Sequence, residues 1–293
     1  MGPDAALPGT ERGAPSAAAI NARRLVGRLV FYTFVAVVSA FFALPMLWLA
    51  FAPFDAHPTL AAHPPTEFTL GNFPDLLKNP YALPSLLNSL ILSLATMALV
   101  VATAAPAAYA LSRVRIPGRD ILLYVLLLFS SVVSGTAAMV PIFLLVFELG
   151  LINTQAGVVL VLAGGLIPAG IFMLKDFVDS MPTSYEESAR VFGASPFQIL
   201  RDIVLPHARP GLAVIAVWVF VNVWSNFLIP FILTRDPGKM PAAVVIYNFY
   251  TEGGQANLRL ISSFGLLYSI PVVVLYLVVN RRYGFRFYGG LKG

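Results

Sequence analysis

The chain has 293 residues, 58% hydrophobic and 11% charged, with a mean hydropathy of +0.80 and a net charge of +5. Soluble domains carry about 25% charged residues, so this composition excludes an ordinary water-soluble fold and points to a membrane protein. The absence of cysteine excludes disulfides, thiolate metal centres and thiol nucleophiles, and because the basic residues flank apolar runs, the positive charge reads as membrane orientation rather than nucleic-acid binding.

Residues 1–24 read as a disordered tail, rich at first in Ala, Gly and Pro, and residues 25–293 as one transmembrane domain. A spanning helix needs about 20 predominantly apolar residues. Six charge-free runs meet that length: Leu29–Phe51, Leu86–Leu111, Ile121–Phe147, Ala156–Leu174, Leu212–Leu233 and Leu260–Val279. The first is longer than a signal-peptide core, and no small-residue cleavage site follows it. Pro45, Pro106, Pro141, Pro168, Pro230 and Pro271 fall inside these runs. Membrane helices accept proline where neighbours re-satisfy the freed backbone, so kinks that serve packing are expected. The fold class is all-α and polytopic, with no tandem repeat.

Orientation follows from the basic residues. With a cytoplasmic N-terminus, only Lys78, Arg235, Lys239 and Arg259 of the 19 basic residues fall outside. Lys and Arg concentrate on the cytoplasmic side, so both termini are expected there. The loop "DAHPTLAAHPPTEF" (55–68) then lies outside. Its His57 and His63 are metal-ligand types, but the loop offers no further ligands and reads as solvated. The outside loop "TRDPGKMPAAVVIYNFYTEGGQANLR" (234–259) has two level readings, a flexible connector or a contact for a partner protein.

Between spans four and five the chain turns polar over residues 179–210, around "SYEESARVFGASPFQILRDIVLP" (184–206). Ser184 with Glu187 predicts a capping box, and Gly193 a left-handed helix end. Ser195, Pro196 and Gln198 predict a second capped start, and Pro206 a stop. Phe197, Leu200 and Val204 follow an apolar stripe. Helices this short are marginal alone in water, so a partner surface would supply the missing burial; a well-capped loop is the level alternative.

These residues carry a resemblance. The loop is similar to that of binding-protein-dependent ABC importer permeases, E-A-A-x-x-x-G, nine residues, then I-x-L-P. Glu187, Ser188 and Ala189 stand at E-A-A, Gly193 at the glycine, and Ile203, Leu205 and Pro206 at the close. Ser188 replaces an alanine, and Phe192 stands where an aspartate commonly precedes the glycine. "NSLILS" from Asn88, "AAYALSRVRIPGRD" (107–120), "VPIFLLVFELGLINT" (140–154) and the terminal "GGLKG" (289–293) also resemble the family, the last its maltose-type, MalG-like branch.

The resemblance implies a six-helix MetI-like permease in the plasma membrane of a prokaryote. It implies a heterodimer with a second permease subunit, two copies of a cytoplasmic ATPase, an extracytoplasmic solute-binding protein and a sugar substrate. The loop would be the coupling element, with Glu187 pairing with a basic ATPase residue and Gly193 permitting the bend. The C-terminal tail would also touch the ATPase. ATP and Mg would belong to that partner, with no cofactor in this chain.

The residues offer no chemistry of their own. There is no G-x-x-x-x-G-K-[ST] loop; Gly238-Lys239 is followed by Met240 and lacks the earlier glycine. His207 reads as a surface or interface residue, no nucleophile and base pair up, and the chain is not read as an enzyme. On span five, Asn222, Ser225 and Asn226 share a face with Trp218. Amides and an aromatic ring suit a neutral, hydroxyl-rich solute, and the same residues also suit contacts between membrane helices. The family often has Trp-Asn where this chain reads Trp224-Ser225-Asn226. No charge-free span supplies Lys or Arg for an anionic solute. The rival from another class is an ion-coupled secondary transporter, which usually carries an intramembrane Asp, Glu or His; the six runs hold none. A non-transporting scaffold explains the spans but not the loop's spacing.

Overall fold

In the computed structural model, residues 17–114, 117–133, 136–249 and 256–283 are described. In chain order the α-helices are α1 (Ala17–Phe51), α2 (Asn72–Leu77), α3 (Ala82–Arg113), α4 (Arg119–Val133), α5 (Met139–Glu148), α6 (Gln155–Asp179), α7 (Ser184–Val191), α8 (Pro196–Gln198), α9 (Leu205–His207), α10 (Arg209–Trp224), α11 (Leu228–Leu233), α12 (Ala242–Val245) and α13 (Leu258–Tyr283). A lone bridge, Asp55 with Phe68, is the extended pairing among the described residues. The tail expected at 1–24 is entered by α1, whose first turns begin on the strong helix former Ala17; residues 1–16 lie outside the described residues.

Four helices are long and apolar enough to cross a bilayer unbroken, and they carry expected spans one, two, four and six. The other two expected spans are divided. Ile121–Phe147 is shared by α4 and α5, and Leu212–Leu233 by α10 and α11. Prolines explain both breaks. Pro141 and Pro230 stand in the first turn of the helix after the break, where an absent N–H removes no helical bond. Pro45, Pro106, Pro168 and Pro271 instead lie within continuous helices.

The core is the seam where α3, α6 and α10 meet, lined by Val100, Ala104, Ala108, Leu162, Ile215 and Val219. Gly170 sits in it. A Cβ there would lie 3.2 Å from Val100 Cγ1, 3.6 Å from Ala104 Cβ and 3.7 Å from Ile215 Cγ2. Small residues let membrane helices approach this closely. At the start of α10, Gly211 makes the same allowance for the Phe177 ring, which a Cβ would meet at 2.5 Å. α1 leaves its long apolar window wholly unburied.

The segment from α1 to α3 is held by short polar contacts. Asn72 Nδ2 donates to Pro53 O at 3.0 Å and to Asp55 O at 2.8 Å. Asp55 is buried and accepts from the His57 amide at 3.0 Å and from the Thr66 amide and hydroxyl, each at 3.1 Å. These bonds, the His57 amide first, hold its carboxyl below the ordinary value of 3.8. His57 meets Arg259 at 3.1 Å and His63 meets Thr59 at 2.9 Å. Among the described residues, no three metal-ligand side chains converge.

Two outcomes test this arrangement. A depressed folded pKa means that Asp55's contribution is full above the unfolded value of 3.8 and is lost as pH falls through the lower folded value. Amide exchange at His57 and Thr66 is therefore expected to stay slow through pH 4 and to quicken only in stronger acid. Gly157→Ala is expected to lower stability in detergent by about 1–3 kcal/mol, because its Cβ would stand 2.5 Å from Leu151 O; thermal unfolding measures it.

Candidate functional site

The loop that follows α6 is built by local rules. α7 carries Glu186 and Glu187 in its first turn and Arg190 in its last, signs that complement the helix dipole. It closes at Gly193, whose φ of +84° is the left-handed conformation glycine tolerates. Gly193 N donates to Arg190 O and Ala194 N to Ala189 O, each at 3.0 Å, the paired bonds of a Schellman end. The next helix starts on the expected box. Ser195 Oγ accepts from Gln198 N at 3.3 Å, and Gln198 Oε1 from Ser195 N at 2.8 Å.

Three expectations for this loop are corrected. Ser184 does not cap α7. It is already helical, preceded by Thr183 in helical torsions, and the first amides bond to Thr183 O instead. Pro206 does not stop the second helix. Ile199–Val204 forms a π-turn in which Leu205 N reaches Leu200 O. That wider turn eases the clash a proline ring makes with the carbonyl four residues back, and the chain runs on to His207 before bending 76° into α10. The π-turn also rotates the buried face. Ile199 and Val204 are buried, Leu200 is half-buried, and Phe197, expected on the stripe, is 68% exposed.

The loop is tied to the spans by a residue the sequence reading passed over. Glu186, beside the motif's Glu187, has a side chain only 3% exposed, and its Oε1 lies 2.7 Å from Arg113 Nε. Its Oε2 accepts from Tyr109 Oη at 3.1 Å, with Arg190 Nη2 at 3.8 Å. Arg113, the last residue of α3, also donates through Nη2 to Val178 O at 3.1 Å and Met181 O at 3.2 Å. One guanidinium thus joins the ends of α3 and α6 to the first turn of α7. Both charges suit their helix ends, a cation at two C-termini and an anion at an N-terminus. Removing one member of such a buried pair costs about 3–5 kcal/mol. The available signal was Tyr109 and Arg113, one turn apart on the same face.

A second pair stands beside it. Lys175 lies just past the expected fourth span but within its helix, buried, with Nζ 2.5 Å from Asp179 Oδ2. Ser112 Oγ donates to Asp179 Oδ1 at 2.5 Å.

Of the motif residues, Glu187, Ser188 and Gly193 are exposed, and Ala189, Ile203, Leu205 and Pro206 are half-buried. Around them stands an apolar face open to solvent, with Val191 84% and Phe192 91% exposed. His207 is exposed, bonded to Ile203 O at 2.8 Å, with its ring 5.5 Å from that of Tyr185.

The expected polar face of span five is partly assembled. Asn222 and Asn226 line one cavity of about 130 Å³ with Val161, Leu162, Gly165 and Leu166 of α6; Trp218 and Ser225 are not in its wall. Asn222 Nδ2 donates to Trp218 O at 2.8 Å and Ser225 Oγ to Val221 O at 2.8 Å, and both residues are exposed. Asn226 Oδ1 accepts from Ile229 N at 3.2 Å and so satisfies an amide freed by the break before α11. Trp224 is buried and stacked between Phe220 and Tyr268.

The 234–259 loop is anchored, not slack, over its described part; residues 250–255 lie outside the described residues, as does "GGLKG". Asn88, at the head of "NSLILS", donates to Gly238 O at 2.8 Å and Met240 O at 3.2 Å and accepts from Gln155 at 2.9 Å. Ser89 Oγ receives the Ala242 amide at 2.8 Å. Asn153, at φ +60°, accepts the Arg235 and Asp236 amides at 3.1 and 3.0 Å.

Comparison with known proteins gives one consistent result. Residues 118–286 match the family model described as "Binding-protein-dependent transport system inner membrane component". The chain is 30% identical over 269 residues to the galactooligosaccharides transport system permease protein GanQ of Bacillus subtilis, covering 90% of this chain and 95% of that one. It is 28% identical to the maltodextrin transport system permease protein MdxG of the same organism, covering 89% and 94%. Among solved structures, its fold is similar to a chain of a bacterial ABC transporter involved in the import of the acidic polysaccharide alginate. The TM-score there is 0.77 at 21% identity, over 92% of this chain and 99% of that one.

Loss of the second helix's box gives a local outcome. Ser195→Ala is expected to weaken that start by about 1 kcal/mol, read as roughly fivefold faster exchange of the Gln198 amide with the spans unaffected.

Proposed function

We propose, from the premise that this chain belongs to the family of binding-protein-dependent transport system inner membrane components, that it forms half of the path of a sugar or oligosaccharide importer. The chain is a multi-pass membrane permease subunit of an ABC importer, a transport subunit rather than an enzyme. That membership displaces the ion-coupled secondary transporter. The proposal adds a neutral, hydroxyl-rich solute and a second, unlike permease subunit. It also adds two copies of a cytoplasmic ATPase that hold the ATP and Mg, a solute-binding protein outside, and both termini in the cytoplasm.

The observation that carries the coupling role is the 184–206 loop. It is a capped and folded block that leaves Val191, Phe192 and Phe197 exposed in water. Burying one such side chain is worth about 1.5–3 kcal/mol, so a complementary groove gains affinity by covering them. The ATPase supplies that groove, with Glu187 at its rim facing a basic residue. ATP-driven closure then displaces the block, which is how a ligand biases a two-state element.

The solute class rests on the printed substrates of the relatives and on the amide face of α10. The cavity of about 130 Å³ is smaller than the 300 Å³ or so at which small-molecule sites begin. A second permease subunit facing Asn222 completes the enclosure.

Sugar uptake by vesicles holding the whole complex, with pull-down of the ATPase, tests this. Phe192→Glu and Glu187→Ala are each expected to weaken ATPase association and cut uptake at least about tenfold, the effect of losing some 1.4 kcal/mol. Gly193→Pro, which cannot adopt the required positive φ, is expected to abolish both. Wild-type association and uptake in all three, with normal insertion, would return the loop to a connector.

A further inference from the structure

We infer that Glu186 is a positioning residue for transport. Locked by Arg113 and Tyr109, it makes the loop's first helix move as one body with the ends of α3 and α6. The inference rests on the reading that the loop docks on an ATPase, and it goes beyond docking, since Glu186 is buried against α3 and not among the exposed docking residues.

A docked loop transmits displacement only if it is fixed to something that matters. Two kinds of contact fix this one. The π-turn is held by packing, with Ile199 and Val204 buried in the seam of α3, α6 and α10. α7, which carries the exposed docking residues, is held differently. Its buried side chain is Glu186, and that carboxylate takes a charge-assisted bond of 2.7 Å and a hydroxyl bond of 3.1 Å from the same face of α3. Hydrophobic burial is not itself directional. A carboxylate gripped by a guanidinium is directional. The guanidinium's other arm is fixed on the carbonyls of Val178, in the last turn of α6, and Met181, just past its end, so a shift of α7 pulls on the ends of both spans.

Without that joint, the loop should still dock and the ATPase should still cycle, but its motion should no longer reach the path. The diagnostic quantity is solute carried per ATP hydrolysed, which a general loss of folding does not change in the protein that remains.

The test uses the whole complex in vesicles, with ATPase retention, ATP hydrolysis and sugar uptake measured on the same preparation. Glu186→Gln keeps shape and removes the charge; Tyr109→Phe removes one hydroxyl. Glu186→Gln is expected to retain the ATPase within twofold of wild type while uptake per ATP falls at least about tenfold, equivalent to 1.4 kcal/mol of lost coupling. Tyr109→Phe is expected to lower the ratio about two- to fivefold, and Glu186→Asp to recover part of the loss. An unchanged ratio in Glu186→Gln overturns the inference. If that variant fails to insert, Tyr109→Phe decides alone, and an unchanged ratio there overturns it equally. An ATPase that stays bound to Phe192→Glu strikes the docking reading instead, so the two failures are distinguishable.

Discussion

The close approach at Gly170 governs the rest. Because α6 has no side chain there, α3 and α10 both lie against its backbone, with Val100, Ala104 and Ile215 around the gap. In a bilayer the hydrophobic effect gives helices no reason to prefer one another over lipid, so shape-matched contact has to do this work. The seam fixes the C-terminal ends of α3 and α6 side by side. That places Arg113 within reach of the carbonyls of Val178 and Met181, and α7 inherits a partner for Glu186. The charged joint is thus a consequence of apolar packing several turns away.

Polar side chains hold both ends of that seam, and the bonds at the two ends differ in chemistry. Near the start of α3, neutral groups serve: Asn88 and Ser89 bind backbone atoms of the segment before and within α12, and Asn153 takes two backbone amides. At the far end, full charges serve, in the pairs Arg113–Glu186 and Lys175–Asp179. Amide bonds fix a loop without creating a strong field. Ion pairs in a low-dielectric setting hold direction more strongly and demand complete pairing.

Much of this was legible in the residues, and what was hidden has physical causes. Spans one, two, four and six follow from runs of apolar residues, because a continuous helix is the simplest way to satisfy backbone groups in lipid. Spans three and five read as continuous for the same reason, yet Pro141 and Pro230 start new helices within them; hydropathy carries no mark of where a backbone breaks. The Ser195–Gln198 box was legible because it is closed by residues three apart. Ser184–Glu187 has the same spacing and forms no box, since the preceding chain enters α7 already helical. Glu186 was hidden because its importance comes from Tyr109 and Arg113, more than 70 positions away. The rotation of the buried face by the π-turn breaks the 3.6-residue period on which stripe reading depends.

Three of the surfaces that the described residues leave open ask for three different neighbours. α1 exposes an apolar wall, which lipid or an apolar protein surface satisfies equally. α10 exposes Asn222 and Ser225, whose donors have folded back onto their own helix; such residues bear contact with water or a solute without demanding it. The loop exposes Val191, Phe192 and Phe197 beside charged residues, a mixture that neither lipid nor bulk water accommodates well and that a folded protein groove does. The last surface is held both by the packing of Ile199 and Val204 and by an ion pair, Glu186 with Arg113, at the ends of α3 and α6. The distribution of polar bonds therefore makes the loop an open surface whose position is tied in direction to the ends of α3 and α6.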